Sequence, residues 1–297
     1  MQPVLGEIAS LSAALLWATA VVLFRTPIAV HGARTVNLLK CLLGTVLLAA
    51  TLPLVGGFGQ LAEVAGRDLA LIAVSGLVGL TLGDTALFAA VGRLGAHRTL
   101  LLQTLSPVFA GLLAAALGER LTAGQMVGAV VVLGGVVMAV APAGPAADGV
   151  RRATGAGLAL GLLAAFGQGA GVVIAKAGME DIGILPATLV RLGAAAAGLL
   201  VVGAFGGRLA GLGCAVGHPS TLRRLLPASF IGTYLALLLM TAGIILAPAT
   251  IAAVLLATTP IFGLVIEAVA DRRRPTVTAV IGTVVAVVGV AVLVGGS

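Results

Sequence analysis

The sequence predicts an all-α integral membrane protein in which ten transmembrane helices form two inverted five-helix repeats around a central cavity. Three observations predict it. First, the 297 residues are 60% hydrophobic and only 9% charged, with a mean hydropathy of +1.21. A soluble chain hides one buried helix of that character, not most of its length. Second, the apolar residues fall in runs near the ~20 residues that cross a bilayer. Third, a pattern occurs twice. Ser106-Pro107-Val108-Phe109-Ala110-Gly111, followed by Gly128 and Gly135, returns as Thr259-Pro260-Ile261-Phe262-Gly263-Leu264, followed by Gly282 and Gly289. The prolines lie 153 residues apart and the closing glycines 154, so the copies differ by one inserted residue.

Charges, glycines and prolines bracket spans at about 5–24, 35–55, 69–91, 99–117, 122–141, 155–175, 183–205, 226–246, 250–269 and 276–294. Residues 1–141 make the first repeat and 155–297 the second. Residues 142–154, with Pro142, Pro145, Arg151 and Arg152, make the linker. The breaks at 118–121 and 247–249 are short enough to force antiparallel hairpins. Span 5–24 is not expected to be a secretion signal, because it lacks a cationic start, contains Glu7 and has a counterpart opening the second half. Further equivalences pair Lys40 with Arg191, Gly83 with Gly232, and Trp17 with Phe166. Five helices per half is an odd number, so the halves sit upside down relative to each other, the arrangement used for alternating access.

The formal charge of +7 fits cationic loops at an anionic membrane surface better than nucleic acid, and no nucleic-acid partner is expected. Of the 17 lysines and arginines, twelve fall in odd-numbered loops and three (Arg67, Arg120, Lys176) in even-numbered ones. That count places the odd loops in the cytoplasm and both termini outside. Cys41 lies in an apolar run and Cys214 in a polar loop, so no disulfide is expected. His31, His97 and His218 fall in loops without metal-ligand spacing, and no phosphate-binding glycine loop is present. Neither a metal, nor a cofactor, nor an enzymatic activity is expected.

An ionisable group inside a span costs about 2.5–3.5 kcal/mol on insertion scales, so each asks for a reason. Lys40, Asp84, Arg191 and Glu267 are such groups, and their charges sum to zero. Lys40 or Arg191 can attract a substrate carboxylate or phosphate, or can instead snorkel to the surface. Asp84 shares a helical stripe with Thr81, Thr85 and Phe88. It is the candidate for proton coupling, with a structural pair to Lys40 or Arg191 as the alternative. Glu267, near a span end, suits an interfacial role. Trp17, Gln103, Gln168, Tyr234 and Thr258 complete the candidate substrate site, beside Thr19, Thr99, Ser106 and Thr259. Such groups also simply bond neighbouring helices, for roughly 0.6 kcal/mol each. Pro107 and Pro260 each remove a backbone donor and are candidate gating kinks; static kinks are the alternative.

Several of these residues carry a resemblance. Trp17, Gly83-Asp84-Thr85-Ala86-Leu87-Phe88, Pro107-x-Phe109, Leu117-Gly118-Glu119-Arg120-Leu121-Thr122, Ala247-Pro248-Ala249 and Pro260-x-Phe262 resemble the EamA-type permeases of the drug/metabolite transporter superfamily. The resemblance covers essentially the whole chain. It implies a ten-helix bundle with helices 1, 3, 4, 6, 8 and 9 lining a cavity, cytoplasmic termini, and transport rather than catalysis. In two respects the sequence departs. Arg272-Arg273 replace the Gly-Glu of the second hairpin, and the arginine count opposes the family orientation, which is preferred here. The expected function is alternating-access transport of small polar metabolites, with amino-acid export from a bacterial inner membrane foremost. Partners would be a small-molecule substrate and the lipid bilayer, with protons as a coupling ion. Carriers of sugar phosphates or drugs, a lipid flippase and a nonselective pore are the alternatives.

Overall fold

The computed structural model describes residues 2–140, 154–178, 182–205 and 210–296. The predicted linker, apart from Thr154, lies outside them. Helix α1 (2–31) passes into α2 (33–51) at Gly32, whose φ of 80° and ψ of 160° reverse the chain. Glycine adopts that φ without the Cβ clash other residues suffer. Then come α3 (Gly66–Leu94), α4 (Ala96–Ala116), α5 (Ala123–Val140), α6 (Gly155–Lys176) and α7 (Ile184–Phe205). Helix α8 covers 219–246, α9 joins Ala249–Leu256 to Thr259–Ala270, and α10 is Val277–Gly295. Among the described residues nine helical stretches are long and apolar enough to span a membrane, and the first, Val4–Leu54, is the α1–α2 pair. The chain therefore crosses ten times.

An even number of crossings puts both termini at one end of the bundle, here called the terminal end. The other end carries Gly32, Gly95 and the 271–276 turn, and with them Arg34, Arg93, Arg98 and Arg272–Arg274. It is the arginine end. Two expectations about loops are corrected here. Arg25 and Arg34 belong to α1 and α2, with Gly32 alone between them, and α8 starts at Pro219 rather than 226. Long cationic side chains let a helix run past the hydrocarbon layer while the charge stays wet.

Small residues bring the helices together. In lipid, association rests on close packing and interhelical hydrogen bonds rather than on the hydrophobic effect. The twice-repeated glycines of the sequence meet across α5 and α10. A Cβ on Gly135 would stand 2.3 Å from Ala286 N, and one on Gly282 would stand 2.6 Å from Gly135 O. Outward from that seam, Val130, Val137 and Val277 are exposed to where lipid would lie. Helices α3 and α6 approach as closely: a Cβ on Gly167 or Gly171 would be 2.9 Å from the Cα of Gly83 or Gly79.

Both α3 and α8 contain a seven-residue π-helical segment, Leu77–Gly83 and Ser229–Leu235. These are equivalent positions of the two repeats, 152 residues apart. They align Asp84 with Ala236, so the sequence pairing of Gly83 with Gly232 is displaced by three residues. π-segments inside α-helices recur at functional sites. Asn37 donates to the Leu80 carbonyl within the first of them at 2.8 Å.

Candidate functional site

A cavity of about 430 Å³ lies between α1, α2, α3, α4, α6, α7, α8 and α9. Trp17, Lys40, Asp84, Gln103, Gln168 and Arg191, all singled out from the sequence, line it, together with Ser106 and Thr259. Toward the terminal end its lining continues through Ala13, Ile184, Thr188 and Met240. Toward the arginine end it stops at Leu87. Beyond that, Phe24, Ile28, Phe88, Val91, Leu100 and Leu225 form a fully packed plug, with the Phe24 and Phe88 rings 4.9 Å apart. The cavity is thus sealed on one side.

A polar layer lies outside the plug. Arg25 grips Asp271 with both terminal nitrogens, at 3.0 and 3.1 Å, and comes within 3.5 Å of Glu267. Glu267 in turn accepts the backbone N–H groups of Ala96 and His97, at 3.1 and 2.6 Å. A carboxylate satisfies orphan donors at a helix N-terminus and is favoured by its dipole. Gly95, with φ 90°, has no Cβ where one would stand 2.6 Å from the Glu267 carboxylate. Glu267 therefore ties α9 to α4 at the arginine end. His97 sits in the first turn of α4 rather than in a loop; it is buried, with Nδ1 3.3 Å from the Pro260 carbonyl.

At the floor of the cavity Lys40 and Asp84 form an ion pair whose side chains are 2% and 3% exposed. Lys40 thus turns inward and does not reach the surface. Gln168 donates to the other Asp84 oxygen, and the Lys40 ammonium stands 5.3 Å from the centre of the Phe88 ring. A buried charge persists only when paired and hydrogen-bonded, and both carboxylate oxygens are engaged. Arg191 has no such partner. Among the described residues it forms no ion pair, and its Nε is buried without a hydrogen bond. Gly79 leaves room for it, since a Cβ there would lie 3.3 Å from Nη2. Gln103 Nε2 and Thr233 Oγ1 are also buried without partners, and both residues line the same cavity. Lys40, Asp84 and Arg191 together carry one net positive charge.

Two of the expected site residues lie elsewhere. Tyr234 points its hydroxyl to Thr51, 2.5 Å away, and packs with the α2–α7 core. Thr233, beside it in the same π-segment, lines the cavity. Thr258 bonds the Leu255 carbonyl, while Thr259 lines the cavity and bonds that of Leu256. Thr19 and Thr99 likewise bond their own helices.

The two prolines stand in a different local setting from the mid-helix one expected. The α-helical pattern breaks at Thr104–Leu105 and at Ala257–Thr258, and Pro107 and Pro260 occupy the first turn of the segments that follow. There the missing N–H belongs to a group that has no intrahelical partner in any case. Thr259 supplies the donor that the Leu256 carbonyl, four residues before Pro260, would otherwise lack.

No curated protein sequence matches the chain. A solved structure described only as the crystal structure of a protein superposes with a TM-score of 0.64, covering 98% of this chain and 96% of its own, at 19% identity. That likeness shows the fold. The model of the EamA-like transporter family matches residues 4–141 and again 155–295. Two matched halves, ten crossings and a cavity between them make this chain a member of the EamA-like transporter family: a multi-pass membrane transporter of the drug/metabolite type, and not an enzyme.

Proposed function

We propose that this chain exports small polar metabolites bearing a carboxylate, amino acids foremost, across a bacterial inner membrane by alternating access. The observation that carries the proposal is the set of unpartnered donors on Arg191 and Gln103 in a cavity with one net positive charge. A guanidinium fork matches a carboxylate with two parallel hydrogen bonds. Gln168, Ser106, Thr233 and Thr259 offer further polar contacts, and Trp17 forms an apolar wall for a side chain. Tyr234 and Thr258 do not line the cavity and are not part of the proposed site.

Asp84 is the proposed proton-coupling group. A proton on it removes the charge that holds Lys40 and leaves the ammonium free to attract substrate. Motion would bend α4 and α9 at the breaks ahead of Pro107 and Pro260. The plug at the arginine end would then open as the opposite end closes.

A sugar phosphate is the second candidate, favoured by the same donors, because a phosphate accepts a guanidinium fork as readily as a carboxylate does. The test is release of preloaded, labelled amino acids from proteoliposomes, with and without an imposed pH gradient. Protein-dependent release of a subset supports the proposal, and acceleration by the gradient that vanishes in Asp84→Asn supports the coupling role. No release above empty liposomes rejects amino acids. Release of sugar phosphates in that case moves the assignment to them.

A further inference from the structure

A second recess, of about 520 Å³, opens between α2, α3, α6 and α7 at the arginine end. Its walls are Leu38, Leu82, Leu160, Leu163, Leu199 and Val202. Leu82, Leu163 and Val202 are exposed by 61%, 51% and 48%, on the surface where lipid would lie. Of the threonine hydroxyls on the α3 wall, both have a partner. Thr81 donates to the Ala195 carbonyl at 3.2 Å, and Thr85 accepts from Asn37 at 3.0 Å. The interior is therefore predominantly hydrocarbon, which suits an acyl chain and not a polar metabolite.

The mouth is different in chemistry. Arg34 stands there, exposed, beside Thr35 and His31. The His31 ring is held by Thr221 at 2.8 Å, but Arg34 forms no ion pair among the described residues. No carboxylate lines the recess. A guanidinium at the interface over an apolar slot is complementary to one ligand class: a phosphate headgroup with its acyl chain attached.

We infer that this recess is a binding site for an anionic glycerophospholipid of the leaflet at the arginine end, headgroup on Arg34 and one chain between α3, α6 and α7. The site does not depend on what the central cavity carries. It shares a wall with that cavity, since Leu38 and Thr85 face the recess while Lys40 and Asp84, two and one residues away, face the cavity. A bound lipid would brace the helices that hold the ion pair.

Native mass spectrometry of the full-length chain, released from micelles with added phosphatidylglycerol or phosphatidylcholine, tests this. The expected result is one phosphatidylglycerol retained in preference to phosphatidylcholine. Arg34→Gln should weaken that retention about fivefold, the ~1 kcal/mol that one arginine near an anionic surface supplies. Leu163→Asn, at an exposed position, should weaken retention of both lipids. Inorganic phosphate at equal concentration should displace neither. Equal retention of the two lipids by the unaltered chain overturns the inference. So does a preference that survives Arg34→Gln, retention untouched by Leu163→Asn, or displacement by phosphate.

Discussion

Arg25 and Asp271, 246 residues apart in the chain, meet in a two-pronged ion pair that lies over the closed end of the cavity. Their side chains are 31% and 36% exposed, so solvent screens the pair and it contributes at most about 1 kcal/mol. Its position matters more than its strength, because it spans α1 and the turn after α9.

Removing Glu267 should do more. Glu267→Ala strips two backbone donors of their acceptor, and a lost helix cap costs about 0.5–2 kcal/mol. We expect a lower melting temperature in detergent, and a cysteine at Ala96, which is fully buried, becoming reactive to a water-soluble thiol reagent. Asp271→Asn should raise that reactivity less. Equal reactivity in all three proteins would show that the polar layer does not hold the end shut.

Lys40→Met leaves the buried Asp84 carboxylate without its ion-pair partner and with Gln168 as its remaining hydrogen-bond donor. Breaking a buried pair from one side costs about 3–5 kcal/mol, whereas replacing both partners is far milder. The double substitution Lys40→Met with Asp84→Asn should therefore melt well above Lys40→Met alone. A double variant no more stable than the single one would mean that the pair's surroundings, not the pair, set the cost.

Arg191→Gln should reduce transport of carboxylate substrates at least tenfold while leaving the melting temperature unchanged or raised, since a partly buried and unpartnered cation is removed. Arg191→Lys should restore little, because an ammonium lacks the planar fork. Initial rates in proteoliposomes over a range of substrate concentrations check this. Recovery by lysine would mean that charge alone matters.

Gly135→Val places side-chain atoms where Ala286 N already stands, 2.3 Å from the Cβ position. Forced separation of α5 and α10 should cost at least the 1–3 kcal/mol typical of overpacking. Gly134→Val, at a position open to the surface, is the control and should melt close to the unaltered chain.

The span boundaries were legible because a run of apolar residues ends where a charge, proline or glycine begins. Predicted span 155–175 compares with Gly155–Lys176, and 276–294 with Val277–Gly295. The start of α8 was not, because Arg223 and Arg224 make its first turns read as a loop. Six of the eight substrate-site candidates converge on the cavity, since a charge or amide in an apolar span has nowhere else to go. Tyr234 and Thr258 were named only as polar groups in apolar spans, which does not say which face of a helix looks inward. Both stand where the backbone departs from the regular α-helix, at the π-segment Ser229–Leu235 and the break at Ala257–Thr258. The breaks have a sequence sign in the proline that follows; the π-segments have none. The plug was equally hidden, because Phe24 and Phe88 look like any other apolar residues until the fold brings them together.

Lys40 and Arg191 occupy matching places in two halves that descend from one pattern, yet only one of them has an acid opposite it. Where Asp84 stands in the first half, Ala236 stands in the second. Two halves of identical sequence, inverted in a membrane, would give two exchange-related conformations of equal energy and no inherent preference between them. Among the differences between the halves, the single carboxylate is the one that changes the charge of the cavity. Lys40 is neutralised within its own half while Arg191 forms no ion pair among the described residues, so the two halves bring unequal charge to the cavity they share.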